Sequence, residues 1–212
     1  LIIGGVNGSA SLTVTDGGFF QHIGGAGISK VQIRAGGEIN VTDGGIFEAR
    51  NIEMAGGQFN LDGGTLRFSS FDSSLLNRNG RIEPGRPIGG AFLAGNYTQQ
   101  ADATLAIDIG GILAGDFDGL GVNGNAILDG TLEIQILNDF VPVIGNEFTI
   151  LQTGAGNVGG TFDTLNFPVV DGKTFDVVYN PKSIVLQVIE TAVLAGDYNN
   201  DGVVNATDYA VW

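Results

Sequence analysis

The sequence predicts an all-β protein whose first part is a β-solenoid, and three observations support this. Glycine contributes 36 of the 212 residues, and 43% of the residues are hydrophobic. Glycine at that level, without the three-residue period of collagen, indicates many tight turns between short strands. Between the turns, apolar and polar residues alternate, which is typical of strands that bury one face.

An internal repeat organises the first part of the chain, positions 1–68. Gly-Gly pairs begin at positions 4, 17, 24, 36, 44, 56 and 63, so alternate pairs recur at a nearly constant interval. A repeat of about 20 residues made of short strands predicts a β-solenoid, in which each coil buries its inner face only when another coil stacks on it. Three coils fit into residues 1–68. A sandwich of hairpins joined at the Gly-Gly turns is the alternative.

Residues 69–95 break this repeat and predict a connecting or capping excursion, with apolar residues such as Phe71 and Ile82 as anchors. Residues 96–192 then predict a continued β-helix or a sandwich-like strand region. Alternation predicts strands at 104–109, 131–136, 147–151, 174–179 and 183–188. Their predicted inner positions are Leu105, Ile107, Ile109, Leu132, Ile134, Ile136, Phe148, Ile150, Phe175, Val177, Tyr179, Ile184, Leu186 and Val188.

The last segment, residues 193–212, predicts a single calcium loop. Ca²⁺ takes six to eight oxygen ligands, and an EF-hand loop supplies them from alternate positions around a sharp glycine turn. Gly202 lies where that turn is needed, and Asp208 stands at position twelve in place of the usual Glu. The predicted ligands are Asp197, Asn199, Asp201, the carbonyl of Val203, Asn205 and Asp208. Ca²⁺ is therefore the cofactor that the sequence predicts.

Three other Asp-Gly-Gly sequences begin at Asp16, Asp43 and Asp62. They lack the second Asp of the nonapeptide calcium repeat, so they predict plain turns.

The charge is unevenly distributed. Residues 1–86 hold eight acidic and seven basic residues, whereas residues 87–212 hold fifteen acidic residues and only Lys173 and Lys182 as basic ones. Such an acidic surface repels phosphate backbones, so nucleic acid is excluded as a partner and cations are favoured. No run of 18 apolar residues occurs, so the sequence predicts no membrane span.

Two resemblances extend this interpretation. Sequences such as Tyr97-Thr-Gln, Gly130-Thr-Leu132 and Gly160-Thr-Phe162 resemble the terminal part of large bacterial surface proteins with autotransporter-like β-strand repeats. That resemblance implies a right-handed β-helix, export, and a place outside the cell or on its surface. The segment 196–212 resembles the first half of a dockerin calcium repeat. Dockerins carry two such repeats, so the resemblance does not extend to cohesin binding.

The sequence offers little for catalysis. His22 is the single histidine, so neither a histidine-based triad nor a multi-histidine metal site can be built. The sequence still allows a pair of carboxylates for glycoside hydrolysis, formed either by Asp116 with Asp118 or by Glu38 with Glu48. The expectation is therefore that the protein is not an enzyme.

The sequence predicts a secreted, non-enzymatic structural subunit of an extracellular fibre or surface matrix. Head-to-tail β-strand stacking would join the copies into a homopolymer, because the open ends of a solenoid are templates for pairing. The alternative is a dockerin-bearing or carbohydrate-binding surface module with a cohesin or polysaccharide partner. A β-helix enzyme that degrades polysaccharides is a third interpretation.

Overall fold

The computed structural model describes residues 1–5, 8–24, 29–85, 88–170 and 172–191, together with Ala206 and Asp208. Every named element in these ranges is a β-strand, which confirms the all-β class. The strands are β1 (Ile2–Ile3), β2 (Ala10–Val14), β3 (Phe19–His22), β4 (Lys30–Arg34), β5 (Gly37–Thr42), β6 (Ile46–Ala55), β7 (Gln58–Asp62), β8 (Thr65–Phe71), β9 (Leu75–Asn77), β10 (Arg81–Pro84), β11 (Gly90–Leu93), β12 (Tyr97–Gln99), β13 (Thr104–Ile109), β14 (Gly119–Val122), β15 (Ala126–Leu128), β16 (Thr131–Ile136), β17 (Glu147–Thr153), β18 (Val158–Gly160), β19 (Thr164–Asn166), β20 (Lys173–Asn180) and β21 (Ser183–Glu190).

The strands form one large sheet and two small ones. The large sheet has 14 strands, and its main path runs β19-β16-β13-β10-β8-β11-β14-β17-β21-β20, with β1, β3, β4 and β6 joined to it through β6 and β8. The small sheets are β18-β15-β12-β9 and β2-β5-β7. The large sheet curls like half a barrel. β6 and β8 each pair with strands on two of its arms.

Most neighbouring strands are parallel and in register. In the three-stranded sheet, Leu12 pairs with Ile39, and Ile39 pairs with Phe59. The exception is the hairpin β20–β21, whose strands are antiparallel to each other, and β21 is also antiparallel to β17. The large sheet is therefore mixed.

The spacing between paired residues is less regular than the Gly-Gly repeat predicts. Ile46 pairs with Thr65, one glycine repeat further along the chain, but Phe19 pairs with Ile46 across a clearly longer segment. Towards the C-terminus, the segment that separates the paired residues Thr131 and Thr164 is longer still. Because the loops lengthen and the final hairpin is antiparallel, the sheet is not a clear right-handed β-solenoid with equal coils.

Backbone conformation and close packing explain why glycine pairs occur at these turns. At Asp43 and Gly44 the backbone has φ values of 46° and 77°, and Gly45 N–H donates to the carbonyl of Thr42 at 2.8 Å. Such a turn suits Asp followed by Gly, and Asp43 lies in a turn as predicted. At Gly45, a Cβ atom would lie 2.2 Å from the carbonyl oxygen of Val14 on the preceding turn. The second glycine therefore permits close approach between successive turns.

One hydrophobic cluster runs from Ile3 to Val188. The predicted inner positions Leu105, Ile107, Ile109, Leu132, Phe148, Ile150, Ile184 and Leu186 are all 0% exposed. The predicted inner residues Ile136, Val177 and Tyr179 are only partly buried and pack against the edge of the cluster. Alternation therefore identified the inner face correctly, and the incomplete burial is confined to these three positions.

Residues 69–95 contain the end of β8 and the whole of β9, β10 and β11. β10 pairs with β8 and β13, and β11 pairs with β8 and β14. Phe71 and Ile82 are fully buried, as their role as apolar anchors requires. These strands join the sheet arms on either side of the segment.

Candidate functional site

A row of residues, all polar except Ala106, crosses the outer face of the large sheet. The parallel register aligns Gln21, Glu48, Arg67, Glu83, Ala106, Glu133 and Asn166 on β3, β6, β8, β10, β13, β16 and β19. The residues before them in the chain are apolar and form the inner row, from Phe20 to Leu165. Because successive side chains of a strand point to opposite faces, this alternation puts the charged residues outside.

Ion pairs link the middle of this row. Arg67 Nε donates to Glu83 Oε2, and Arg81 Nε donates to Glu83 Oε1 at 2.6 Å. Arg81 also holds Glu133 with two bonds, from Nη1 to Oε2 at 2.8 Å and from Nη2 to Oε1 at 2.9 Å. The small side chain of Ala106 separates Glu83 from Glu133 in the row, and one guanidinium binds both carboxylates.

These contacts shift the ionisation of both partners. The hydrogen bond from Arg81 lowers the pKa of Glu133. Burial acts to lower the pKa of Arg81, but its hydrogen bonds to Glu133 and Glu83 outweigh burial and raise that pKa. Both groups are therefore charged over the whole physiological range.

A groove of about 470 Å³ lies over this row. Its lining residues are Gln21, Glu48, Arg67, Glu83, Pro84, Gly85, Asp108 and Leu137. Glu48 is only 8% exposed, and the amide of Gln21 donates to its Oε1 at 3.1 Å. The groove therefore presents carboxylate oxygens with one guanidinium among them, a set that can bind hydroxyl groups or cations.

Asp118 lies behind the groove and is 1% exposed. Gly89 N–H donates to its Oδ1 at 2.8 Å, and Asp108 N–H donates to its Oδ2 at 3.1 Å. Burial raises the pKa of Asp118 to about 7, and the nearby charges of Asp108 and Glu83 act in the same direction. Both oxygens accept backbone hydrogen bonds, so Asp118 links the neighbouring backbone segments.

In each carboxylate pair that the sequence allowed for glycoside hydrolysis, the two members have different surroundings. Glu38 lies on β5 of the three-stranded sheet, whereas Glu48 lies on β6 of the large sheet. Asp116 is exposed, while Asp118 is buried. Neither arrangement places two carboxylates together over the groove. Asp108 lines the groove instead, and burial followed by the charge of Glu83 raises its pKa.

Most of the predicted calcium loop lies outside the described residues. This applies to Asp197, Asn199, Asp201, Val203 and Asn205, so the calcium site stays a prediction. Asp208 is described and is 0% exposed. Elsewhere in the described ranges, no group of three or more His, Cys, Asp or Glu side chains could hold a metal ion.

Strand edges form a second candidate site. Within the part of the chain that the structure describes, β1, β2 and β3 each pair on one side only, and so do β18, β19 and β20. Apolar side chains lie exposed on these strands: Ile2 and Phe19 are each 55% exposed, and Leu165 is 43% exposed. An unpaired edge with exposed apolar side chains is a template for pairing with another strand.

Sequence reasoning missed the charged row and the buried Asp118. The signal for the row was present, because Glu48, Arg67 and Glu83 occupy the outer positions of alternating strands. The pairing of Arg81 with Glu133 had no such signal, since the two residues are 52 positions apart.

Neither the family models nor the curated proteins include a match to this chain. Among the described residues, no helix is long and apolar enough to cross a membrane.

Proposed function

We propose that the chain is a right-handed β-solenoid that serves as a non-enzymatic structural subunit of an extracellular fibre or surface matrix. Parallel strands stacked in register over three sheets support the solenoid. Crossover connections between parallel strands of one sheet are right-handed in nearly all proteins, which favours that hand here.

The observation that carries the assembly is that, among the described strands, those at both ends of the stack pair on one side only. The N-terminal edge consists of β1, β2 and β3, and the C-terminal edge consists of β18, β19 and β20. Joining the first edge of one copy to the second edge of another continues the sheets and generates an open filament. The nearly neutral residues 1–86 would then meet the acidic C-terminal part of the next copy.

Calcium has a separate role in this proposal, which is to order residues 193–212. All the donor groups of Asp197, Asn199, Asp201, Val203, Asn205 and Asp208 are oxygens, the chemistry that Ca²⁺ requires. Export and an extracellular setting accompany this role and rest on the resemblance to bacterial surface proteins.

An edge substitution tests the assembly. Replacing Phe19 by Lys puts a charge on the free edge of β3, and edge charges prevent strand pairing. Phe92 is the matched control, since it is 49% exposed on β11, which pairs on both sides. Sedimentation velocity should show large assemblies for the wild type and for Phe92→Lys, and monomers for Phe19→Lys. A monomeric wild type at all concentrations would sink the proposal.

The groove favours a second candidate function, a carbohydrate-binding surface module. Its carboxylates and guanidinium suit sugar hydroxyl groups, although none of its eight lining residues is aromatic. Isothermal titration with soluble oligosaccharides should show binding that Arg67→Ala weakens at least tenfold. No heat with any neutral or acidic glycan would exclude it. A cohesin-like partner remains the alternative for the tail.

A further inference from the structure

The last two strands interrupt the stack on one arm of the large sheet. That arm, called the β17 arm here, consists of β1, β4, β6, β8, β11, β14 and β17, and each neighbouring pair along it is parallel. β21 then pairs antiparallel with β17, and β20 pairs antiparallel with β21. Among the described strands, the β17 arm therefore runs two strands further, or roughly 10 Å, than the arms that end in β18 and β19.

The turn of this hairpin, at residues 181–182, takes the place of a further coil at the corner after β17. Along the stack, carbonyl groups of one coil accept N–H groups of the next, as the carbonyl of Asn123 does from Ala155 at 2.8 Å. At the last coil, the carbonyls of residues 154–156 instead accept the ammonium of Lys182 at 3.0, 3.3 and 2.8 Å. The hairpin therefore satisfies groups that an added coil would bond.

Side chains of the hairpin also cover the end of the core. Phe175 is 4% exposed, and its ring centroid lies 5.7 Å from that of Phe167, which follows β19. The hydroxyl of Tyr179 accepts the N–H of Phe162 at 3.1 Å, and their ring centroids are 6.3 Å apart. Phe162 lies between β18 and β19. The hairpin thus reaches from β17 to the segments that follow the other two arms.

The N-terminal edge is level by comparison. β1, β2 and β3 pair with β4, β5 and the first half of β6, which are consecutive along the chain and form one coil. An edge of this shape cannot pair with β18 and β19 of another copy while the β17 arm projects past them. The hairpin and the first coil of a second copy therefore compete for the same place.

We propose that the edge of β17 is the docking surface for β1 of a second copy, and that the β20–β21 hairpin covers this surface until the second copy displaces it. The inference rests on the head-to-tail assembly proposed above and specifies how its C-terminal edge opens. The strand directions support the exchange, because β1 is parallel to its own arm and would continue β17 in the same direction.

The arm that runs from β3 to β19 supplies matching surfaces for the second copy. Its inner row begins at Phe20, which stacks on Phe47 with ring centroids 5.0 Å apart, and ends at Leu165, which is 43% exposed. Joining β3 of one copy to β19 of another places Phe20 on Leu165 and removes both from water. The same register sets Gln21 beside Asn166 in the outer row.

Engineered disulfides test whether the hairpin must move, because the native chain has no cysteine. Glu147 pairs with Gln187 across β17 and β21, so a disulfide in Glu147→Cys with Gln187→Cys locks the hairpin onto β17. Asp176 pairs with Gln187 across β20 and β21, so Asp176→Cys with Gln187→Cys closes the hairpin on itself and leaves it free to move. Paired residues on neighbouring strands have Cα atoms roughly 4.5–5.5 Å apart, which suits a disulfide.

Sedimentation velocity of the two oxidised monomers, before and after reduction, gives the result. The protein locked through Glu147→Cys should stay monomeric when oxidised and assemble when reduced. The matched control with Asp176→Cys should assemble in both states. Equal assembly of the two oxidised proteins would overturn the inference and leave the structural-subunit proposal intact.

Lys182→Met distinguishes the two proposals from the other direction. It removes three hydrogen bonds from the hairpin turn and keeps the aliphatic stem, so assembly should begin about fivefold faster than in the wild type. Assembly of Lys182→Met beside a monomeric wild type would support the covered edge, although the wild-type fibre would then be refuted. If neither protein assembles, both proposals fail.

Intermolecular cross-linking tests the register of the junction. In mixed assemblies, Gln21→Cys copies should form disulfides with Asn166→Cys copies and not with Ile127→Cys copies, as detected by mass. Ile127 is the matched control because it is 48% exposed on β15, which pairs on both sides. Equal cross-linking to Asn166→Cys and Ile127→Cys would contradict a specific docking surface.

Discussion

At the residue scale, the informative side chains are those whose environment opposes their ordinary chemistry. Asp118 is a buried carboxylate that accepts hydrogen bonds from the backbone N–H groups of Gly89 and Asp108. The sequence offered Asp116 and Asp118 as a possible carboxylate pair, and nothing in it distinguished the exposed carboxylate from the buried one. That difference arises from contacts with residues 29 and 10 positions away, which no local pattern encodes.

Asp118 should make stability fall as pH rises. Its pKa is raised in the folded protein to about 7, so its contribution is fully present below the ordinary value of 3.8 and is lost as pH rises through 7. The loss is at most about 4 kcal/mol, at roughly 1.4 kcal/mol for each pKa unit. Urea unfolding of Asp118→Asn between pH 4 and 8 should show a shallower decline than the wild type. The exposed control Asp102→Asn should retain the wild-type slope, and an unchanged slope in Asp118→Asn would refute the assignment.

Arg81 should couple energetically to Glu133. Their two hydrogen bonds are partly exposed to solvent, so screening limits the coupling to about 1 kcal/mol. A double-mutant cycle with Arg81→Lys and Glu133→Gln, measured by urea unfolding, should recover that value, because Lys cannot reproduce the two-point contact. The more exposed pair Lys30–Glu53 should couple less strongly. Additive effects of the two changes would show that the contact contributes nothing.

At the element scale, the strands were the most predictable feature. β13 and β16 coincide with the predicted ranges 104–109 and 131–136, and β21 extends its predicted range by two residues. Alternation over six or more residues sufficed for this, because it reports directly on a half-buried strand. The direction of strand pairing was not predictable. Leu186 pairs antiparallel with Phe148, and the local sequence around either residue does not encode so distant a partner.

Gly45, the second glycine of its turn, should be more sensitive to substitution than a glycine with open space around its Cβ position. A Cβ at Gly45 would lie 2.2 Å from the carbonyl oxygen of Val14, so Gly45→Ala should lower the free energy of unfolding by about 1–3 kcal/mol. At Gly90, no atom lies within 4 Å of the position that a Cβ would take, and the φ angle is not positive. Gly90→Ala is therefore the control and should change stability little. Thermal unfolding of the two variants checks this, and equal melting temperatures would contradict close stacking at the turns.

At the scale of the whole molecule, the sequence predicted an all-β chain with stacked strands but not its irregular coils. The Gly-Gly repeat ends at Gly64, and the loops at 110–118 and 137–146 then lengthen the path between paired strands. Composition carries no information on such insertions. The predicted assembly depends on strand edges, because β3 and β19 each retain an unpaired side among the described strands.

Cryo-electron microscopy of the purified protein, first in millimolar calcium and then in chelator, tests the structural-subunit proposal most directly. The account predicts fibres whose stacked strands repeat at about 4.8 Å along the axis, with density for residues 193–212 that weakens in chelator. Isolated particles in millimolar calcium would contradict it.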